Sequence, residues 1–361
     1  MKLCLLLDFD CYTNIRGGAE IQARILAGGL AERGIDVHIV VPNLIDNKNE
    51  TIKVEPNLTI HRYKSSIRKK ILSKGRSVAQ GIYKKDVGMF HKIHDLYVKW
   101  SARNLAKGFK KIHKKEEFDV VHANNTEPIL ALKYIKGIRK TGHLRDYLVF
   151  RHKLPSDVEY ITITKRLKEM FGKDCIVIND PLGKNKISKL SKTEARKKLR
   201  ITREMILFVG NLIQEKNPLA FVELAKRFPN KQFIILGDGP LQPEKLPNLI
   251  HLKKVGQKEI ADYYRAADML FYPASCDFGG FGLNVIESLA NGTPVLAYNI
   301  EGIDDVVDKE NIVKDLDGAK EKIIKGLKEV NVDEIRKRFN QEHILDKMVG
   351  FFENGLSKQK I

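Results

Sequence analysis

Residues 266–298 read AADMLFYPASCDFGGFGLNVIESLANGTPVLAY, and this stretch decides the fold. Residues 269–272 are a short apolar run closed by Pro273, which reads as a buried strand. A turn with Gly279, Gly280 and Gly282 follows, and from 283 to 291 the apolar residues fall at helical spacing. Residues 294–298 are apolar again. Strand, turn, helix and strand in so short a stretch predict a parallel sheet with helices on its faces.

The same alternation extends both ways along the chain. Towards the N-terminus of this half, strands are expected over 205–209, 232–236 and 249–252 and a helix over 259–267. Asn217-Pro218 reads as an N-cap and first helical residue, with Phe221, Leu224, Ala225 and Phe228 on one face. The first half predicts strands over 2–9, 37–41, 59–63, 118–122, 147–150, 160–164 and 175–178. Helices are expected over 19–33, ended by Gly34, and over 128–140. A third, over 88–115, carries Met89, Ile93, Leu96 and Trp100, then Leu105, Phe109 and Ile112 after a slip in phase. A last helical stretch over 332–352 has no strand after it. The polar, basic segment 179–192 (NDPLGKNKISKLSK) reads as the connection between two halves. The expected fold class is α/β, with two doubly wound Rossmann-like domains facing across an interdomain cleft. Their expected extents are 1–180 and 181–345, with 346–361 a C-terminal helix and tail packing back on the first domain.

Composition fits that expectation. The chain has 361 residues, 43 % of them apolar and 30 % charged, enough for two ordinary cores and unlike a disordered or fibrous protein. The longest apolar runs are far short of a membrane span, and the N-terminus lacks the pattern of a secretory signal, so a soluble cytoplasmic protein is expected. Cys4, Cys11, Cys175 and Cys276 are too scattered for a metal site or a disulfide framework and are expected as plain thiols.

In open α/β sheets, ligands bind beyond the carboxyl ends of the strands. After the first strand, Gly17-Gly18 precedes a helix without the spacing of a dinucleotide fingerprint, and serves equally as an anion-binding turn or as a plain tight turn. The second half is richer. Gly210-Asn211 leaves one strand with Lys216 a turn later, and Asp277, Gly279, Gly280, Phe281, Gly282 and Leu283 leave another at the start of a helix. Glu287 follows Leu283 on the same helical face. Amides for a phosphate, an ammonium for its charge and a carboxylate for vicinal hydroxyls together suit a sugar nucleotide.

The runs GNLIQEKN from Gly210, GDGP from Gly237 and GFGLNVIESLANGTPV from Gly280 resemble the C-terminal domain of GT-B glycosyltransferases, family 4 in particular. GGAE from Gly17 and DVVHAN from Asp119 resemble the N-terminal domain of the same family. The resemblance implies a retaining, metal-independent hexosyltransferase that takes a nucleotide-diphosphate sugar, UDP- or GDP-linked, as substrate and has no cofactor. It implies Glu287 on the donor ribose, amides of Gly282 and Leu283 on the diphosphate with Lys216 as countercharge, and His122 near the transferred sugar. Gly17 and Gly18 match the loop over the donor phosphates. Two positions depart from the family: Asn211 stands where an arginine is usual, and the first glutamate of the paired motif falls on Gly279, with Asp277 the nearest carboxylate. The two departures leave open a catalytically silent homologue acting as a binding or regulatory subunit.

Charge is uneven. The chain carries a net charge of +19, and residues 62–115 hold 17 Lys and Arg against two Asp. This segment is expected to dock on an anionic membrane surface, with Met89, Phe90 and Trp100 adding shallow insertion, which places the protein peripherally on the inner face of a membrane. The acceptor is then expected to be a lipid-linked or membrane-proximal glycan. A plain solvated lysine face is the alternative, and nucleic acid is not expected because no stacking aromatics or nucleic-acid module accompany the charge.

Overall fold

The structure is a computed structural model that describes residues 1–13, 18–65, 87–276 and 280–354. It divides into two compact units. One comprises Met1–Ile163, Leu167–Ile178 and Leu345–Ile361, the other Thr164–Arg166 and Asn179–Ile344.

The first unit is built on an eight-stranded sheet of β1 (Lys2–Leu6), β2 (Asp36–Asn43), β3 (Glu50–Glu55), β4 (Leu58–Lys64), β5 (Val120–Asn124), β6 (Arg139–Leu144), β7 (Glu159–Thr162) and β8 (Ile176–Val177). The order is β3-β4-β2-β1-β5-β6-β7-β8, parallel except for β3 on β4. Chain order reverses between β1 and β5, so a crevice opens beyond their carboxyl ends. Helix Val87–Glu116 lies over this sheet and buries Val98, Ala102, Leu105, Ala106 and Phe109. A Cβ on Gly108 would fall 2.4 Å from the Tyr63 ring, so glycine allows the helix to press on β4.

The region after β5 differs from the expectation. Instead of one helix over 128–140, helix Thr126–Ala131 and a 3-10 turn lead into strand β6, and residues 147–151 form a second 3-10 turn rather than a strand. The sequence of β6, RKTGHL, is polar, and its Lys140 and Thr141 find partners inside the unit. Buried Lys140 pairs with Asp157 and donates to the Ile135 carbonyl at 3.2 Å, and Thr141 bonds His122. A polar strand with satisfied side chains has no apolar signature.

The second unit carries β9 (Met205–Val209), β10 (Gln232–Leu236), β11 (Leu249–Leu252), β12 (Met269–Tyr272), β13 (Val295–Tyr298) and β14 (Ile312–Val313), all parallel, in the order β11-β10-β9-β12-β13-β14. This is the doubly wound order, with its switch point between β9 and β12. Strand β9 shows why the strands read as continuous apolar runs. Met205 and Leu207 enter the core that holds Tyr264, Val285 and Phe339, while Ile206 and Phe208 enter the one on the other face, with Phe221 and Phe233. Both faces are covered, so alternation disappears. The expected helix over 332–352 is two helices, Val332–Arg338 and Gln341–Asn354.

Candidate active site

The switch point of the second unit gathers most of the residues singled out in the sequence. Beyond β9, Gly210 donates its N–H to the Leu236 carbonyl at 3.0 Å, and Leu212 donates to the Asp238 carbonyl at 3.0 Å. The Gly237-Asp238-Gly239-Pro240 turn lies directly on this loop: a Cβ on Gly237 would sit 1.9 Å from the Gly210 oxygen. Only glycine permits two backbones so close, which explains the GDGP run. Asn211 is exposed at the strand exit.

Lys216 ends a short 3-10 turn, Gln214–Lys216, and Asn217 then caps helix Pro218–Arg227 by accepting from Ala220 N–H at 3.3 Å. The Lys216 ammonium donates to the Tyr272 hydroxyl at 2.7 Å and lies 5.1 Å from that ring's centroid, at the end of β12. Ser275 N–H donates to the Glu215 carbonyl at 2.9 Å and so ties the two loops together.

Helix Leu283–Ala290 opens on the same side. Its N-cap, Gly282, has φ +66°, and without a side chain it leaves first-turn N–H groups to other acceptors. Asn284 holds this helix start against β9 by donating its amide to the Val209 carbonyl at 2.6 Å. Gly280 and Phe281 are buried, and the Phe281 ring packs edge-on to Phe339 at 5.8 Å, so Phe281 offers a ligand its backbone only. Asp277 and Gly279 lie outside the described residues, as does Gly17; Gly18 opens the exposed first turn of helix Gly18–Glu32 in the other unit.

Glu287 is also engaged. Its carboxylate accepts from the Lys186 ammonium at 2.9 Å, and both side chains are nearly buried. Asn291 reinforces the pair by donating to the Lys186 carbonyl at 2.8 Å and accepting from Ser188 N–H at 2.8 Å. The Tyr264 hydroxyl lies alongside; burial first, then the Glu287 carboxylate, raise its pKa well above the usual phenol range. Glu287 therefore anchors the 179–190 connection to the helix as well as offering a carboxylate one turn past Leu283.

The first unit has a different switch point. Asp8 follows β1, Asn124 ends β5 and Glu127 opens the next helix. Burial, and then the Glu127 charge, push the Asp8 carboxyl up to about 8, and burial raises Glu127 too. Oδ1 of Asp8 and Oδ1 of Asn124 are buried acceptors with no donor among the described residues. These residues were not anticipated; the signal was available as polar residues directly after two apolar strands. His122 belongs to the first unit. It sits within β5, wholly buried, with Nδ1 2.9 Å from the Thr141 hydroxyl and its ring edge-on to Phe352. Burial, and secondarily Arg145, lower its pKa to about 3. Its Nε2 is buried and has no partner among the described residues.

The basic segment is described in part. Residues 66–86, and the side chains of Met89 and Phe90, lie outside the described residues. On the rest of helix Val87–Glu116, Leu96 is 67 % exposed, Ile93 44 % and Trp100 39 %, at one-turn spacing, and Arg103, Lys107, Lys111 and Lys114 continue along that exposed face. Among the described residues no helix is long and apolar enough to cross a membrane.

Residues 191–344 match the family profile "Glycosyl transferases group 1". The chain is similar to the D-inositol 3-phosphate glycosyltransferase of Thermobispora bispora, 23 % identical over 337 residues that cover 81 % of this chain and 76 % of that protein. A shorter likeness, 34 % over 110 residues, covers 28 % of this chain and 25 % of the alpha-monoglucosyldiacylglycerol synthase of Acholeplasma laidlawii. Among solved structures, the sucrose-phosphate synthase of Thermosynechococcus elongatus superposes with a TM-score of 0.75 at 16 % identity, covering 98 % of both chains.

Proposed function

We propose that the chain is a glycosyltransferase of the group 1, GT-B type, which transfers a hexose from a UDP- or GDP-linked sugar, with retention and without a metal, to a lipid-linked or membrane-proximal glycan. One observation carries the proposal: Lys216, the Gly210 loop and the uncapped start of helix Leu283–Ala290 converge at the switch point between β9 and β12. An ammonium and outward-facing amides suit a diphosphate. The bond that breaks joins the anomeric carbon to the diphosphate oxygen, and the one that forms joins that carbon to the acceptor oxygen on the same face. The acceptor's proton passes to a phosphate oxygen. The protein's part is to stabilise the departing charge through Lys216 and the helix amides, and to position the acceptor. Glu287 holds the ribose with the oxygen that Lys186 leaves over. In the first unit, the buried Oδ1 atoms of Asp8 and Asn124 accept hydrogen bonds from hydroxyls of the acceptor sugar.

Membrane proximity rests on the exposed Ile93, Leu96 and Trp100 with the basic residues beyond them, each basic residue near an anionic surface contributing roughly 1 kcal/mol. The diacylglycerol named in one relative is consistent with such an acceptor. Flotation on vesicles with and without anionic lipid tests it: recovery only with the anionic lipid is expected, and equal recovery removes the membrane from the proposal. A second reading, a silent binding subunit, is favoured by the neutral Asn211 at the exit of β9. A panel of UDP- and GDP-sugars, read by nucleotide release with polyprenyl-linked and free glycan acceptors, separates the two. Release with one donor is expected, and silence across the panel selects the second reading.

A further inference from the structure

Away from both switch points, two buried histidines face each other on neighbouring strands of the first unit. His38 on β2 and His61 on β4 stack with ring centroids 5.1 Å apart, and His38 Nδ1 lies 2.8 Å from His61 Nε2. Each outer nitrogen is held by an oxygen: His38 Nε2 lies 3.1 Å from Asp36 Oδ1, and His61 Nδ1 lies 3.2 Å from the Thr51 hydroxyl. A carboxylate only accepts, so His38 Nε2 carries a proton, and in the neutral ring Nδ1 turns a lone pair inward. Glu116, the last residue of helix Val87–Glu116, brings a carboxylate oxygen within 4.8 Å of one ring nitrogen of each histidine. Among the described residues no other three His, Cys, Asp or Glu groups converge in this way.

We propose that His38 Nδ1, His61 Nε2 and the Glu116 carboxylate bind one divalent cation of the zinc class. Two imidazoles and a carboxylate are donors that zinc accepts, at Zn–N distances of about 2.0–2.1 Å. Tetrahedral angles at that distance put the two nitrogens about 3.3 Å apart, so the pair needs to open by roughly half an ångström. Asp36 and Thr51 supply the outer hydrogen bonds that fix imidazole tautomers at metal sites. Without metal, a continuous chain satisfies every group: the Thr51 hydroxyl donates to His61 Nδ1, His61 Nε2–H to His38 Nδ1, and His38 Nε2–H to Asp36. With metal, the proton on His61 is held at Nδ1 and donated to the Thr51 oxygen, freeing Nε2. Both imidazoles are neutral in either arrangement, so the cation takes the place of a shared proton without any other change of charge.

Lys2 is the competing cation. Its ammonium lies 3.5 Å from Glu116 Oε2 but makes its better bond, 2.8 Å, to the Glu116 carbonyl. Metal binding sacrifices only the longer contact. The bound ion links the end of the long basic helix to β2 and β4, with a water completing the coordination, and it acts on stability rather than on the sugar chemistry.

The test uses the full-length chain, stripped with chelator, equilibrated with Zn2+ and dialysed. About one zinc per chain by elemental analysis, together with a rise in Tm, is expected. Glu116→Gln and His61→Asn are expected to weaken binding at least tenfold, and Asp36→Asn by 10- to 100-fold. His94→Asn, on the exposed face of the helix, leaves binding unchanged. No retained zinc, or wild-type affinity in Glu116→Gln, overturns the proposal. Should His61→Asn fail to fold by circular dichroism, Glu116→Gln decides alone, because its side chain lies at a half-buried helix end.

Discussion

Both units are doubly wound around one switch point, and they end their central strands in opposite chemistry. Beyond β9 and β12 the chain presents Lys216, a glycine loop and a helix start. Beyond β1 and β5 it presents Asp8, Asn124 and Glu127, with the Asp8 carboxyl raised to about 8 by burial and by its acidic neighbour. The first arrangement favours an anion. The second resists a further negative charge and offers acceptors to hydroxyls. A doubly wound sheet thus fixes where a ligand goes, and the few residues after each strand fix what kind it is.

The largest effect expected is on stability. Glu287→Ala leaves the Lys186 ammonium buried without its carboxylate, at a cost of about 3–5 kcal/mol in urea unfolding. A Lys186→Met/Glu287→Leu double variant is expected to recover most of that loss while remaining inactive, because the ribose contact is gone. An active double variant would make the pair purely structural. Next comes Lys216→Ala, with turnover down on the order of 10²-fold by nucleotide release and little change in Tm. Turnover near the wild-type level would remove the contrast between the two strand ends.

Smaller effects are read against pH. Asp8 has a folded pKa above its unfolded one, so the folded state holds a proton that the unfolded chain releases between about pH 4 and 8. Stability is expected to fall as pH rises through that window, and Asp8→Asn to flatten the slope of Tm against pH. His122 has the opposite sign: its folded pKa is depressed to about 3, so its contribution is present above pH 6.5 and lost as pH falls towards 3. His122→Leu is expected to lessen the acid loss of Tm between those limits. An unchanged acid limb would mean that His122 is not held neutral in the core.

Much of this was legible in the sequence, for reasons that particular elements make plain. The apolar runs MILFV, QFIIL and MLFY are strands covered on both faces, and burial leaves little else for them to be. The Gly280–Leu283 turn and the helix after it were equally readable. Strand β6 was not, because Lys140 and Thr141 are buried through hydrogen bonds that no local pattern reveals. Strand β3, ETIKVE, was missed as a largely exposed antiparallel edge. At the sites, Lys216 and Glu287 could be picked out by motif, but Glu287's bond to Lys186 spans 101 positions, and the burial of His122 depends on Phe352, 230 positions away.

That last contact bears on how the polypeptide matures. Phe351 and Phe352 accept hydrogen bonds from Arg139 through their carbonyls, Leu345 packs against Gly29, and Arg33 pairs with Asp346. The first unit's interior is therefore completed by residues synthesised after the second unit. During synthesis it waits, with His122 and its neighbours uncovered, while the whole intervening unit is translated and free to fold. A nascent chain ending at Ile344 would carry the whole second unit and an open first one, a natural target for chaperones and proteases.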